Sequence, residues 1–207
     1  MSQVAGPYGF RIVQMVGDTP FSGGIHTYPL TVNNTGAFYF GDPVGLSAGA
    51  PVTLTASPLS GTVNANSPIG IFMGASYIDP LWGFVNSQYL PVNAINLGYK
   101  NVRLKIVDSP EVVMQIQANG VVTADKIGQN AAIAGPFGGG VPAIGNSVVV
   151  LSAASVAVTN TLALRIYDFV YNAAPSPGAS SMPGDPFTDV LVCWNAGVHR
   201  FDQAAGL

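Results

Sequence analysis

The sequence predicts an all-β protein: a single-domain β-barrel or β-tulip-like fold with long Gly/Pro-rich loops and at most one short helix. Three observations carry this expectation. Turn-forming residues recur every few positions, with 25 glycines and 16 prolines among 207 residues. The apolar runs between them are short, and several alternate with polar residues, the period of a half-buried strand. The best helix candidate, residues 123–130 (TADKIGQN), has Thr123 as N-cap and Gly128 as stop, and would be only about a turn and a half long.

Residues 38–79 organise the rest. The stretch opens on aromatics and turns at Gly41-Asp42-Pro43. Short apolar runs follow at 44–46 and 52–55, and a buried-looking strand lies at 69–72. Between Asp42 and Asp79 there is no formal charge, so this is a compact β unit. Before it, residues 10–16 form a candidate strand. Residues 20–24 form a loop around Phe21, residues 25–30 alternate weakly, and Asn33-Asn34-Thr35-Gly36 makes a turn. After it, residues 80–99 read as irregular, with one short strand.

Lys100–Val107 is the cleanest strand, with Val102, Leu104 and Ile106 on one side and Arg103 and Lys105 on the other. A turn at 108–110 leads to Val112, Met114 and Ile116, which alternate again, so a hairpin is expected here. Strands are expected at 147–151, 162–170 and Asp189–Trp194. Loops are expected at 135–146 and 173–186, with a polar tail over 197–207. The division expected is an extended N-terminal arm over 1–21 and one β domain over 22–207.

Composition narrows the function. The hydrophobic fraction is 48% and the charged fraction 8%, against about 25% charged in an ordinary soluble domain. Surface polarity then comes from neutral side chains, and much of the surface is expected to lie against neighbouring subunits. A net charge of −3 lacks the basic footprint of a nucleic-acid binder. The single cysteine, Cys193, cannot form an internal disulfide and reads as a small core residue. The start, MSQVAGPYGF, shows no basic-then-apolar signal. No apolar run approaches the ~20 residues of a spanning helix, so no membrane partner is expected.

Motifs for chemistry are sparse. His26 and His199 are far apart, and neither lies near a cysteine or carboxylate at ligand spacing; a zinc site needs three or four converging ligands. Gly74-Ala75-Ser76 begins like a nucleophile elbow but continues Tyr-Ile. Gly138-Gly139-Gly140 lacks the Lys-Ser/Thr of a phosphate loop. Asp42, Asp79, Asp108 and Asp185 fall in turns, where aspartate caps and bends the chain. Asn33-Asn34-Thr35 matches a glycosylation sequon and reads simply as a turn. No catalysis, cofactor or metal is expected.

Three places resemble the head decoration, or cement, proteins of tailed phages. They are YGFRIVQMVGDTPFSGGIHTYPL; FGDPVGL with the later PIGIFMGASYID; and VRLKIVDSPEVVMQIQANGVVTADKIGQNA, followed by SVVVLSAASVAVTNTLALRIYDFV and VLVCWNAGVHRF. The likeness lies in their order and covers most of the chain except 135–145 and 173–186. That family usually carries more Asp and Lys.

The resemblance implies a non-enzymatic virion protein on the outer surface of an icosahedral capsid. Its partners would be the major capsid protein and its own copies, as a homo-oligomer with a trimer favoured. Contact residues are expected at Tyr8, Phe10, Arg11 and Phe21 of the arm, and at Trp82, Phe84 and Tyr89, since aromatics and arginine anchor interfaces. The alternative is a host-facing adhesin or tail/fibre protein using the 82–89 aromatics on a cell-surface glycan. A hydrolase would need converging carboxylates, and the acids here lie in turns.

Overall fold

The computed structural model describes residues 5–59, 67–171 and 182–196. The first strands are β1 (Arg11–Met15), β2 (Thr19–Pro20), β3 (His26–Pro29), β4 (Phe38–Tyr39), β5 (Pro43–Ser47) and β6 (Ala50–Thr53). The middle of the chain supplies β7 (Pro68–Asp79), β8 (Gly83–Ser87), β9 (Tyr89–Leu90), β10 (Lys100–Val107) and β11 (Val112–Gln117). Five two-residue strands follow: β12 (Asn130–Ala131), β13 (Ile133–Ala134), β14 (Gly140–Val141), β15 (Asn146–Ser147) and β16 (Val150–Leu151). The last are β17 (Leu164–Phe169) and β18 (Asp189–Trp194).

The protein is all-β, with 47% of residues in strands and 3% helical. Two antiparallel sheets dominate. The first runs β12-β17-β18-β11-β1-β2; the second runs β3-β10-β7-β5-β6, with β8 also on β7. The expected barrel does not close among the described residues: both sheets keep open edges. The expected helix is also absent. Residues Ala124–Lys126 make one 3-10 turn, and Thr123 makes no side-chain cap bond; its hydroxyl goes to Asp125 instead. A second 3-10 turn occupies Ala153–Ser155.

The expected hairpin between β10 and β11 does not form either. β10 pairs with β3 and β7, and β11 with β1 and β18. The crossover at 108–111 carries the chain from one sheet to the other. Alternation fixes which side of a strand is buried, but not which strand lies beside it.

Each sheet has its own core. Met114, Ile116, Leu164, Val190, Val192 and Trp194 centre the first; Phe38, Phe72, Leu90, Leu104 and Ile106 the second. β7 and β10 serve both, since Ile71 and Val107 belong to the first core. Gly70 is required there: a Cβ on it would stand 2.1 Å from the Val107 carbonyl oxygen.

The segment expected as an arm is part of this framework from residue 9 onward. Phe10 is fully buried, its ring 5.8 Å from that of Trp194. β1 pairs with β11 from Arg11 to Met15. Fully burying a phenylalanine side chain contributes about 1.5–3 kcal/mol, and Phe10 has no exposed surface left for a neighbour. Cys193 is half-buried on β18, pointing away from Val192 and Trp194 rather than into their core. The loop expected at 173–186 lies outside the described residues up to 181, as do His199 and the 197–207 tail.

The corner at residues 40–42 joins the two sheets. Phe10 N donates to Gly41 O at 2.9 Å, Gly41 N to Phe72 O at 2.8 Å, and Phe72 N to Asp42 O at 2.9 Å. Ser147 N donates to Phe40 O at 2.9 Å. Gly41 has φ +87°, and a Cβ would meet the Phe10 carbonyl oxygen at 2.7 Å, so no other residue suits this crossing.

Candidate interaction surface

β7 and β8 form a hairpin whose tip is built by one aspartate. Asp79 Oδ1 accepts from Leu81 N at 2.7 Å and from Trp82 N at 3.0 Å. Gly83 then takes φ +76° and starts β8. This Asx-type turn aims two large apolar side chains at solvent: Leu81 is 87% exposed and Trp82 82%. Phe84, the second residue of β8, is 70% exposed. Scattered exposed apolar residues are ordinary, but several together on a turn whose backbone is fixed make this tip the candidate contact surface.

The register continues this surface across the second sheet, because directly opposed residues of an antiparallel pair share a face. Phe84 opposes Ile78, which opposes Lys100. Asn86 opposes Ser76, which opposes Arg103, which opposes Pro29. Lys105 opposes Gly74 and Thr27, and its ammonium donates to Asn86 Oδ1 at 3.0 Å. The other side of the same strands holds Tyr77, Val102 and Leu104 in the second core.

Strict alternation would place Lys100 on the core side with Val102. A bulge between Lys100 and Arg103, with Asn101 at φ +52°, turns it outward. Asp79 turns the other way, toward Tyr99, whose hydroxyl is held above its ordinary range by burial and then by the charge of Asp79. Beneath the hairpin the Tyr77 and Tyr99 rings stack with centroids 4.5 Å apart. An open groove of ≈ 450 Å³ runs beside Lys100 and Arg103, lined also by Leu30, Ile95 and Tyr99.

The seven residues expected at contacts do not form one site. Trp82 and Phe84 sit together on the hairpin. Tyr89 is half-buried on β9, its ring 4.8 Å from Tyr39. Tyr8 and Arg11 form a separate pair, with the guanidinium 4.2 Å from the Tyr8 ring centre. The Tyr8 hydroxyl donates to Asp189 Oδ1 at 2.8 Å. Burial and then the Asp189 charge push that phenol far up. Burial also raises the Asp189 carboxyl, against the pull of the Tyr8 bond. Phe10 is a core residue and Phe21 packs against the first core, so Phe10 is not a contact residue and Phe21 is only partly available.

Leu81 was missed because residues 80–99 read as irregular, and Ile78 because the strand expected at 69–72 runs on to Asp79; the Asp-Pro-Leu-Trp-Gly string is the signal that marks the turn. His26, apart from any carboxylate in sequence, meets one in space. Its Nδ1 lies 2.6 Å from Asp108 Oδ2, which also accepts from the Tyr28 hydroxyl at 2.7 Å. Among the described residues no three His, Cys, Asp or Glu side chains converge as metal ligands, and no helix is long and apolar enough to cross a membrane.

No protein-family model matches the chain, and neither a curated protein nor a solved structure does.

Proposed function

We propose that this chain is a non-enzymatic structural virion protein that decorates the outer surface of an icosahedral phage capsid and stabilises it by bridging neighbouring capsid subunits. The observation that carries the reading is the hairpin tip, where Leu81, Trp82 and Phe84 stand 87%, 82% and 70% exposed on a backbone fixed by Asp79. Such a tip inserts apolar anchors into a neighbour without first having to order itself, and pre-organisation raises affinity for a given area. The charged fraction of 8% supports the same reading, since neutral surface is cheap to desolvate. The order of the three motif regions described above adds to it.

The mechanism is mechanical. Each copy buries its hairpin against the shell, and a specific contact of this kind covers about 1,200–2,000 Å². A copy, or a set of associated copies, that touches several shell subunits gains avidity without new contacts of its own. The shell subunits are then held together against pressure from packaged genome. Heating particles that carry or lack the protein tests this: bound protein raises the temperature of genome release, and equal release temperatures refute the bridging role.

A second reading uses the same Trp82 ring as a stacking platform for a glycan, as in a host-facing adhesin. Solvent exposure of the indole favours it; flanking by Leu81 and Phe84, rather than by hydrogen-bonding side chains, favours a protein partner. Glycan-array binding that Trp82→Ala abolishes would support the adhesin.

A further inference from the structure

We propose that the basic outer face of the second sheet docks the acidic turn region of a second copy of this chain, in a head-to-tail contact. The chain has only seven basic residues, and three of them, Lys100, Arg103 and Lys105, stand on this one face through the register of β10 against β7 and β3. Among the described residues no acid opposes these cations in the register, and Asp79 at the hairpin tip is engaged by Leu81 N and Trp82 N. Among the described residues the ion pairs are His26–Asp108 and Lys126–Asp125, so none of the three cations is paired there.

The complementary charge lies elsewhere on the same molecule. Val16 N donates to Glu111 O at 2.7 Å, which holds the β1–β2 turn against the crossover at 108–111. This brings the exposed carboxylates of Asp18 and Glu111 to one region. Gln14 Nε2 donates to Asp18 Oδ1 at 2.7 Å and steadies it. Asp108 beside them is engaged by His26 and Tyr28, so Asp18 and Glu111 carry the outward negative charge.

Three cations on one surface and two acids on another, in so sparsely charged a chain, complement each other between copies. Ile78, opposite Lys100, borders the basic rows and supplies apolar area to the same contact. The two patches differ, so the contact is heterologous: it closes into a ring or extends. Charge complementarity of this sort sets register and partner choice. The inference deepens the self-association within the proposed function and rests on that part alone; it does not need the shell.

Sedimentation velocity on the full chain tests it, with two charge-reversed variants, Arg103→Glu/Lys105→Glu and Asp18→Lys/Glu111→Lys. At about 0.1 M NaCl the wild type associates. At about 1 M, where the screening length falls from about 10 Å to about 3 Å, association weakens at least about ten-fold. Each variant alone sediments as a monomer with a wild-type circular dichroism spectrum. An equimolar mixture of the two regains association, because each supplies the surface the other lacks, and so does the chain carrying all four reversals. A wild type monomeric at 0.1 M salt, association indifferent to the reversals, or a mixture that stays monomeric would each overturn the inference. A monomer that still binds shells overturns it while leaving the decoration reading intact; an oligomer that ignores shells does the opposite.

Discussion

Asp42 makes the fold's stability depend on pH in a direction that can be worked out beforehand. The side chain is 1% exposed at the corner joining the two sheets. Its Oδ2 accepts from Tyr39 N at 2.9 Å and its Oδ1 from the Ser147 hydroxyl. Those two bonds favour the carboxylate, but burial outweighs them and pushes the carboxyl from its ordinary 3.8 up to about 7. The folded protein therefore holds this proton more tightly than the unfolded chain does. Stability from this group is fully present below pH ~4 and is lost as pH rises through about 7. A rise from 3.8 to about 7, at about 1.36 kcal/mol per pH unit, corresponds to about 4 kcal/mol. The perturbation is Asp42→Asn. The amide keeps one oxygen for Tyr39 N–H and offers an N–H to Ser147 Oγ, and it cannot ionise. Urea unfolding of both proteins at pH 4.5, 6, 7.5 and 8.5 gives the difference at each pH. The variant gains on the wild type between pH 4.5 and about 7, the difference then levels off, and the variant is the more stable at pH 7.5 and 8.5, by up to about 4 kcal/mol. A difference that does not change with pH would refute the reasoning, whatever its size.

Other substitutions separate core from contact surface. Phe10→Ala costs about 3–5 kcal/mol in urea unfolding, because the ring is fully buried against Trp194; a cost under about 1 kcal/mol would return this residue to a surface role. Gly70→Ala destabilises by about 3 kcal/mol or more, since its Cβ would overlap the Val107 carbonyl, and a wild-type melting temperature would contradict that crossing of β7 and β10. Tyr8→Phe lowers stability by about 1–3 kcal/mol by taking the hydroxyl from the half-buried Asp189; an unchanged unfolding midpoint would show that the bond contributes nothing. Trp82→Ala changes stability by less than about 0.5 kcal/mol, yet weakens attachment to shells, and a strong loss of stability would mean the indole packs within its own fold.

The all-β class and several individual strands were legible in the sequence because alternation reports burial directly. Lys100–Val107 and Asp189–Trp194 alternate cleanly, and both strands have those limits. Strands β5 and β6 were legible as the short apolar runs at 44–46 and 52–55. Partner choice was not, since Val112–Gln117 alternates equally well beside β10 or in another sheet, and only the packing of whole sheets decides. The bulge at Asn101 was invisible for the same reason: it adds one residue to a strand whose pattern already looked complete, and it alone brings Lys100 onto the face of Arg103. Phe10 misled because glycine and proline around it suggested an arm, while its burial depends on Trp194, 184 residues later. At the hairpin, Trp82 and Phe84 stood out by residue type. Leu81 did not, because exposure of a leucine is set by the Asp79 turn and leaves no mark in composition.

The most direct test of decoration is co-sedimentation of the purified chain with undecorated capsid shells, set beside the Leu81→Ser/Trp82→Ala variant. Wild-type protein should pellet with shells to a fixed number of copies per shell, while the variant, equally folded, should remain in the supernatant. Wild-type protein left in the supernatant, or a variant that pellets as well as the wild type, would contradict the account.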